Sequence, residues 1–195
     1  MLTDVLGKVN WIDVFMGCAL LRCIFKGTQQ GFIVEFFKLL GIFFSTFITL
    51  HYYVAFGIVL RNYLWLPEFL LDQAGFLVLW LIVIVAFKVI RDGWLIWLKE
   101  EQITRVSRLI GGLIAILRGV LVIGLLFVYI HLTGNAFLIK TSQKSFSHRY
   151  MGDISPQLYG ALFNQFIAPV FPDEKKNDKV FKLRLPKKAS GEEML

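Results

Sequence analysis

Residues 39–60 form a run of 22 residues without one charged side chain. As a helix this run would rise about 33 Å, enough to cross a hydrocarbon core of about 30 Å. A soluble helix of that length normally keeps a polar face, so the stretch points to a bilayer. The composition of the whole chain agrees. Hydrophobic residues make up 56% and charged residues 18% of its 195 positions, against roughly 25% charged in soluble domains. One small core cannot hide that much apolar surface, and a membrane can.

Three further segments read the same way. Residues 73–87 are uncharged and continue through Lys88 and Arg91 to an aromatic stretch holding Trp94 and Trp97. Residues 109–132 are interrupted only by Arg118. Residues 9–25 hold Asp13 and Arg22, and are expected to span with those charges turned inward. Short connections are expected at 26–31, 61–72 and 99–108, with Tyr63, Trp65, Trp94 and Trp97 at the membrane interfaces and Pro67 marking a break.

After residue 132 the character changes. Thr133, Gly134 and Asn135 carry helix-stopping chemistry. Ser155 and Pro156 read as an N-cap followed by proline at the first helical position. Leu158, Leu162 and Phe166 then recur at i, i+4 and i+8, with Tyr159, Phe163 and Ile167 beside them. This predicts an amphipathic helix for a membrane surface or for the bundle itself. Beyond Pro172 the lysines at 175, 176, 179, 182, 187 and 188 and Arg184 predict a solvated tail. The expected fold is an all-α membrane protein with about four transmembrane helices, an amphipathic helix and a basic tail. Its parts are a four-helix domain over 1–135, a surface segment over 136–170 and a disordered basic tail over 171–195.

The formal charge of +7 raises nucleic acid as a partner. The basic residues, however, sit between apolar runs and in the tail, without an interleaved base-stacking face, so lipid and positive-inside sorting account for them. No catalytic constellation is visible. His51, His131 and His148 lack metal-ligand spacing, and no phosphate-binding loop, nucleophile elbow or zinc-protease motif occurs. Cys18 and Cys23 would point about 140° apart on a helix, so no disulfide framework is implied. No cleavable signal pattern precedes Trp11. Neither an enzyme nor a cofactor or metal site is expected.

Small residues and charges carry more information. Ala19, Cys23, Gly27 and Gly31 recur at intervals of four and lead to Glu35; Gly111, Ala115 and Gly119 form a second such series around Arg118. Interval four places each set on one helical ridge, where missing bulk lets two backbones approach. Asp13, Glu35, Lys38, Lys88 and Arg118 lie in or beside apolar helices. A lone charge at the bilayer centre costs about 2.5–3.5 kcal/mol on insertion scales, so such groups pair or line a polar cavity. Glu35 and Lys38 can pair at i, i+3. Arg118 follows nine apolar residues and is expected to pair with Glu35 or Asp13 on another helix.

In these residues the chain resembles the colicin V production protein family. Its members show an Asp in an apolar first helix, then a basic-Gly-xxx-Gly-Phe-xx-Glu run, matched here by Asp13, Lys26, Gly27, Gly31, Phe32 and Glu35. Before and within the last helix they show Asp-Arg-x-x-Gly-xxx-Gly-xx-Arg-Gly. Here Arg108, Gly111, Arg118 and Gly119 match, while Ser107 replaces the acid and Ala115 the second glycine. The likeness covers roughly residues 9–167. It implies a bacterial inner-membrane, multi-pass accessory protein of toxin production or export and envelope homeostasis, acting through helix and lipid contacts. Its partners would be the bilayer, and a membrane protein or a second copy of the chain. A small oligomeric transporter or channel, its path lined by intramembrane charges, is the alternative. The cations flanking the first and third connections favour both termini outside the cytoplasm.

Overall fold

The computed structural model describes residues 10–63, 65, 67–97 and 104–182. Helix α1 covers Trp11–Arg61, 51 residues, opening on Asn10, whose side chain accepts from the Ile12 N–H at 3.4 Å. A straight helix of that length would reach about 75 Å. It does not run straight. Gly31 has φ 77° and ψ 177°, a region that only glycine enters readily, and the chain reverses there.

Contacts along α3, Arg105–Leu132, establish the reversal. In the first arm of α1, residues 11–30, Ile12 and Met16 pack with Ile123 and Phe127. Leu20 and Cys23 lie beside Gly119, and Gly27 lies against Gly111 and Ala115. In the second arm, residues 32–61, Glu35 meets Arg118, and Leu50 and Tyr53 share a core cluster with Leu125 and Val128. The first arm thus descends α3 and the second climbs back along it. The expected connection at 26–31 shrinks to a single residue. Ser107 Oγ accepts the Phe32 N–H at 3.0 Å, serving the first backbone donor of the new arm.

Helix α2, Glu68–Trp97, packs antiparallel on the second arm. Gly57 lies by Leu71, Tyr53 by Phe76, Phe44 stacks on Phe87 at 5.4 Å, and Phe37 meets Trp94 at 6.1 Å. A Cβ on Gly75 would lie 2.8 Å from the Tyr53 carbonyl oxygen, so this crossing also needs glycine. Helices α2 and α3 meet at one end, where Phe76 and Tyr129 are 5.8 Å apart and Gln73 Nε2 donates to the Leu132 carbonyl at 3.2 Å.

Among the described residues three helices are long and apolar enough to cross a membrane: Trp11–Arg61, Leu70–Trp94 and Arg105–Leu132. The sequence predicted four; α1 joins the first two into one helix broken at Gly31. Large apolar side chains cover their outer faces, Leu109 at 71% and Val89 at 66% exposure among them, a surface suited to lipid. Tyr63 and Trp65 are exposed between α1 and α2, and Trp94 near the end of α2.

After Thr133 and Gly134 (φ 62°), the chain forms short helices. Helix α4 spans Ala136–Gln143, α5 Phe146–Met151 and α6 Ile154–Leu162, followed by a π-helical turn at Phe163–Ile167. Helix α7 is Ala168–Val170 and α8 is Asp178–Lys182. Two expectations change here. Ser155 lies inside α6 and is not its N-cap; its hydroxyl donates to the Leu121 carbonyl at 3.1 Å, in the space left by Gly124. The face that packs is Ser155, Tyr159 and Phe163, all buried, while Phe166 is 59% exposed. Helix α6 therefore packs on its own bundle. The expected disordered tail is also corrected as far as residue 182: Val180 in α8 is 1% exposed, in one cluster with Leu50, Tyr53 and Tyr159. The remainder of that tail lies outside the described residues.

Candidate functional site

The reversal at Gly31 creates a place where backbones nearly touch. A Cβ on Gly111 would lie 2.7 Å from the Gly27 carbonyl oxygen and 3.0 Å from that of Gly31. A Cβ on Gly27 would collide with Ala115 Cβ and come within 2.9 Å of the Gly111 oxygen. Cβ atoms do not tolerate backbone at such distances, so the small residues are steric requirements of this crossing. Ala115 is fully buried within it. Gly119 extends the contact, with Leu20 Cδ1 2.6 Å from where its Cβ would stand.

Four residues past the reversal, Glu35 has no exposed surface. Its Oε1 accepts from Lys38 Nζ at 2.7 Å, and its Oε2 lies 3.0 Å from Arg118 Nε. The arginine N–H is not aimed at that oxygen, so the contact is ionic without a directed hydrogen bond. Lys38 also reaches Gln30 Oε1 across the break. One carboxylate thus faces two cations from two elements, each with a side chain 18% exposed. This relieves the desolvation of a buried acid and ties the second arm to α3 where the backbone contact is closest.

The other candidates are placed elsewhere. Asp13 lies about 27 Å along the first arm from Gly31, so it is not the partner of Arg118. Its carboxylate accepts from Ser145 Oγ at 2.6 Å and from the Ser147 and Phe146 N–H groups at 2.7 and 3.1 Å. Asp13 therefore holds the N-terminus of α5 against α1, a favourable place for an anion. Lys26 and Arg108 are exposed near the reversal and outside the Glu35 contact. Cys18 and Cys23 are both free.

Sequence reasoning missed a second constellation. His51 in the second arm has a side chain 4% exposed. Its Nδ1 lies 3.0 Å from the Tyr159 hydroxyl, and its Nε2 lies 3.0 Å from Glu174 Oε1. Tyr159 accepts the Asn177 N–H at 2.9 Å, so its own proton goes to His51 Nδ1, and Nε2–H faces the carboxylate. Burial pushes the Tyr159 hydroxyl above its usual pKa, which keeps it a donor. Asn177 Nδ2 donates to the Leu50 carbonyl at 2.8 Å, and Lys179 Nζ to Asp72 at 3.2 Å. Together these contacts lock the C-terminal segment onto the bundle. The spacing of Ser155, Tyr159 and Phe163 is the one sequence signal that could have disclosed it. Among the described residues no group of three or more His, Cys, Asp or Glu could hold a metal ion.

A family model described as Colicin V production protein matches residues 12–156. It covers every residue of the Glu35 centre and Asp13, and ends within α6. No curated protein and no solved structure matches the chain.

Proposed function

The chain belongs to the colicin V production protein family, and on that premise we propose an accessory role in the bacterial inner membrane, serving toxin production or export and envelope homeostasis without catalysis. It is a multi-pass protein in this reading. Each arm of α1 crosses once, the Gly31 reversal lies at one face, and both chain termini lie outside the cytoplasm. The observation that carries it is the arrangement of polarity: apolar side chains outward on three long helices, with Glu35, Lys38 and Arg118 turned to one another within. Such a body acts through its surfaces, on lipid and on a membrane partner or a second copy. The test is complementation of colicin V production in cells lacking the gene. Wild-type chain should restore it, and Glu35→Leu at equal membrane abundance should not; a fully active Glu35→Leu chain would count against the reading.

One observation favours transport as a second reading. Ser45 and Thr49 stand at i and i+4 along the second arm, with buried oxygens that lack a hydrogen-bond partner among the described residues. A wet or ion-bearing path would satisfy them. Flux into liposomes holding the purified chain separates the two readings. Saturable, specific flux lost in Arg118→Leu supports transport, and its absence supports the accessory role.

A further inference from the structure

Away from their contact at Phe76 and Tyr129, helices α2 and α3 leave a cavity of about 250 Å³ beside the second arm. Its lining includes four cations from three elements, Lys38, Lys88, Arg91 and Arg118. Among the described residues two carboxylates stand near them: Glu35, fully buried against Lys38 and Arg118, and Asp92, which accepts from Arg91 at 2.6 and 2.8 Å. Lys88 has no acidic partner among the described residues. Among the described residues the cavity thus has an excess of positive charge. The rest of its wall is apolar and aromatic, with Phe87 and Trp80 prominent. The Trp80 indole N–H is buried and has no hydrogen-bond partner among the described residues.

The depth of the cavity fits this two-sided lining. Lys38 lies seven residues past Gly31, and Arg118 seven past Gly111, which touches Gly31, so both lie about 10 Å from the reversal. Trp94 stands one turn from Arg91 toward the same end, where interfacial aromatics gather. The cations therefore lie within about two helical turns of Trp94, close enough for their long side chains to reach a phosphate at the interface whose acyl chains run deeper.

We propose that this cavity binds an anionic phospholipid, its phosphate among Lys38, Lys88, Arg91 and Arg118 and one acyl chain along the Trp80 and Phe87 wall. Charge complementarity selects the headgroup, because a zwitterionic lipid brings its own cation into a site already in positive excess. The inference deepens the lipid-contact part of the accessory reading and rests on it.

The test is native mass spectrometry of the full-length chain, released from detergent with phosphatidylglycerol or phosphatidylcholine of identical acyl chains. Wild type should retain phosphatidylglycerol with roughly tenfold preference, and Lys88→Gln/Arg91→Gln should lose most of it. Arg22→Gln/Arg105→Gln, which removes exposed cations outside the cavity, should behave as wild type. Ile84→Trp, which fills the apolar wall, should weaken phosphatidylglycerol binding with the cations intact. Equal retention of both lipids, or equal loss in the two double variants, overturns the proposal. Displacement by millimolar inorganic phosphate, with Ile84→Trp unaffected, also overturns it and assigns the cations to a free phosphate. A chain that fails to insert into membranes defeats the accessory reading too, whereas insertion without lipid preference defeats only the cavity.

Discussion

The two ends of the bundle are held by different chemistry. At the Gly31 end, backbones touch through glycine and alanine, and one buried carboxylate gathers Lys38 and Arg118. At the other end, aromatic rings and a polar lock of His51, Tyr159, Glu174 and Asn177 fasten short helices that follow the last long one. The first end tolerates neither added volume nor loss of one charge. The second has distributed contacts, so single losses there should be milder. In a bilayer, where apolar packing gains little over lipid, small-residue contact and polar pairing are the available means of holding helices together.

The largest expected effect tests that contrast at Arg118. Among the described residues, Arg118→Leu leaves Glu35 with Lys38 as its only cation, and breaking a buried pair costs about 3–5 kcal/mol in soluble proteins. Thermal unfolding of detergent-solubilised protein should show a marked loss, and Glu35→Leu added to Arg118→Leu should restore part of it. If the double variant recovers nothing, the pair does not hold the bundle. Next comes Gly31→Ala, which forces a side chain into a backbone conformation reserved for glycine, at about 1–3 kcal/mol. Its fall in melting temperature should exceed that of Gly17→Ala, where an added Cβ meets nothing within 4 Å.

At the opposite end, Tyr159→Phe removes one hydroxyl serving both His51 and the Asn177 N–H. Unpaired buried groups cost about 1–3 kcal/mol each in general, and the segment bearing Asn177 can relax toward solvent, so the low end applies. Limited proteolysis should cut near residues 171–177 sooner, with the helical core intact. Unchanged cleavage would show that the lock is not what holds the segment. The smallest effect belongs to Ser107→Ala, about 1 kcal/mol by analogy with lost N-caps. Ser107→Asp should instead match wild type, since a carboxylate also accepts the Phe32 N–H and suits a helix start. That equivalence would explain how serine stands where the family resemblance shows an acid.

Much of the Gly31 end was legible because interval-four spacing reports helical ridges directly, and a charge inside an apolar run demands a partner. The reversal was less legible. Gly27 and Gly31 occupy the same series, yet one is needed for room beside Gly111 and the other for its backbone angles; spacing cannot separate those needs. Asp13 was open to two readings, and only the fold brings α5 to it. The face of α6 misled for a physical reason. Leu158, Leu162 and Phe166 are the more apolar stripe, but in a membrane protein apolarity marks lipid as well as core. The polar members Ser155 and Tyr159 mark the protein side, because their hydroxyls need partners. The Gly57 and Gly75 crossing was announced only in part: Gly41, Ser45, Thr49, Tyr53 and Gly57 recur at interval four on the second arm, but bulky Tyr53 interrupts the small residues, and Gly75 has no such series on α2.

The central claim is that Gly31 turns α1 back so that both arms lie along α3. Crosslinking tests it directly in a cysteine-free background, with Cys18 and Cys23 replaced by alanine. The pair Thr28→Cys and Gly112→Cys reports the reversal end, where a Cβ at 112 would stand 3.0 Å from Thr28. The pair Ile12→Cys and Phe127→Cys reports the far end of the same arm, where both native side chains share one cluster. A short bifunctional thiol reagent applied in native membranes should join both pairs. Crosslinking at 28 and 112 with none at 12 and 127 would mean that the first arm leaves α3, and would contradict the reversal.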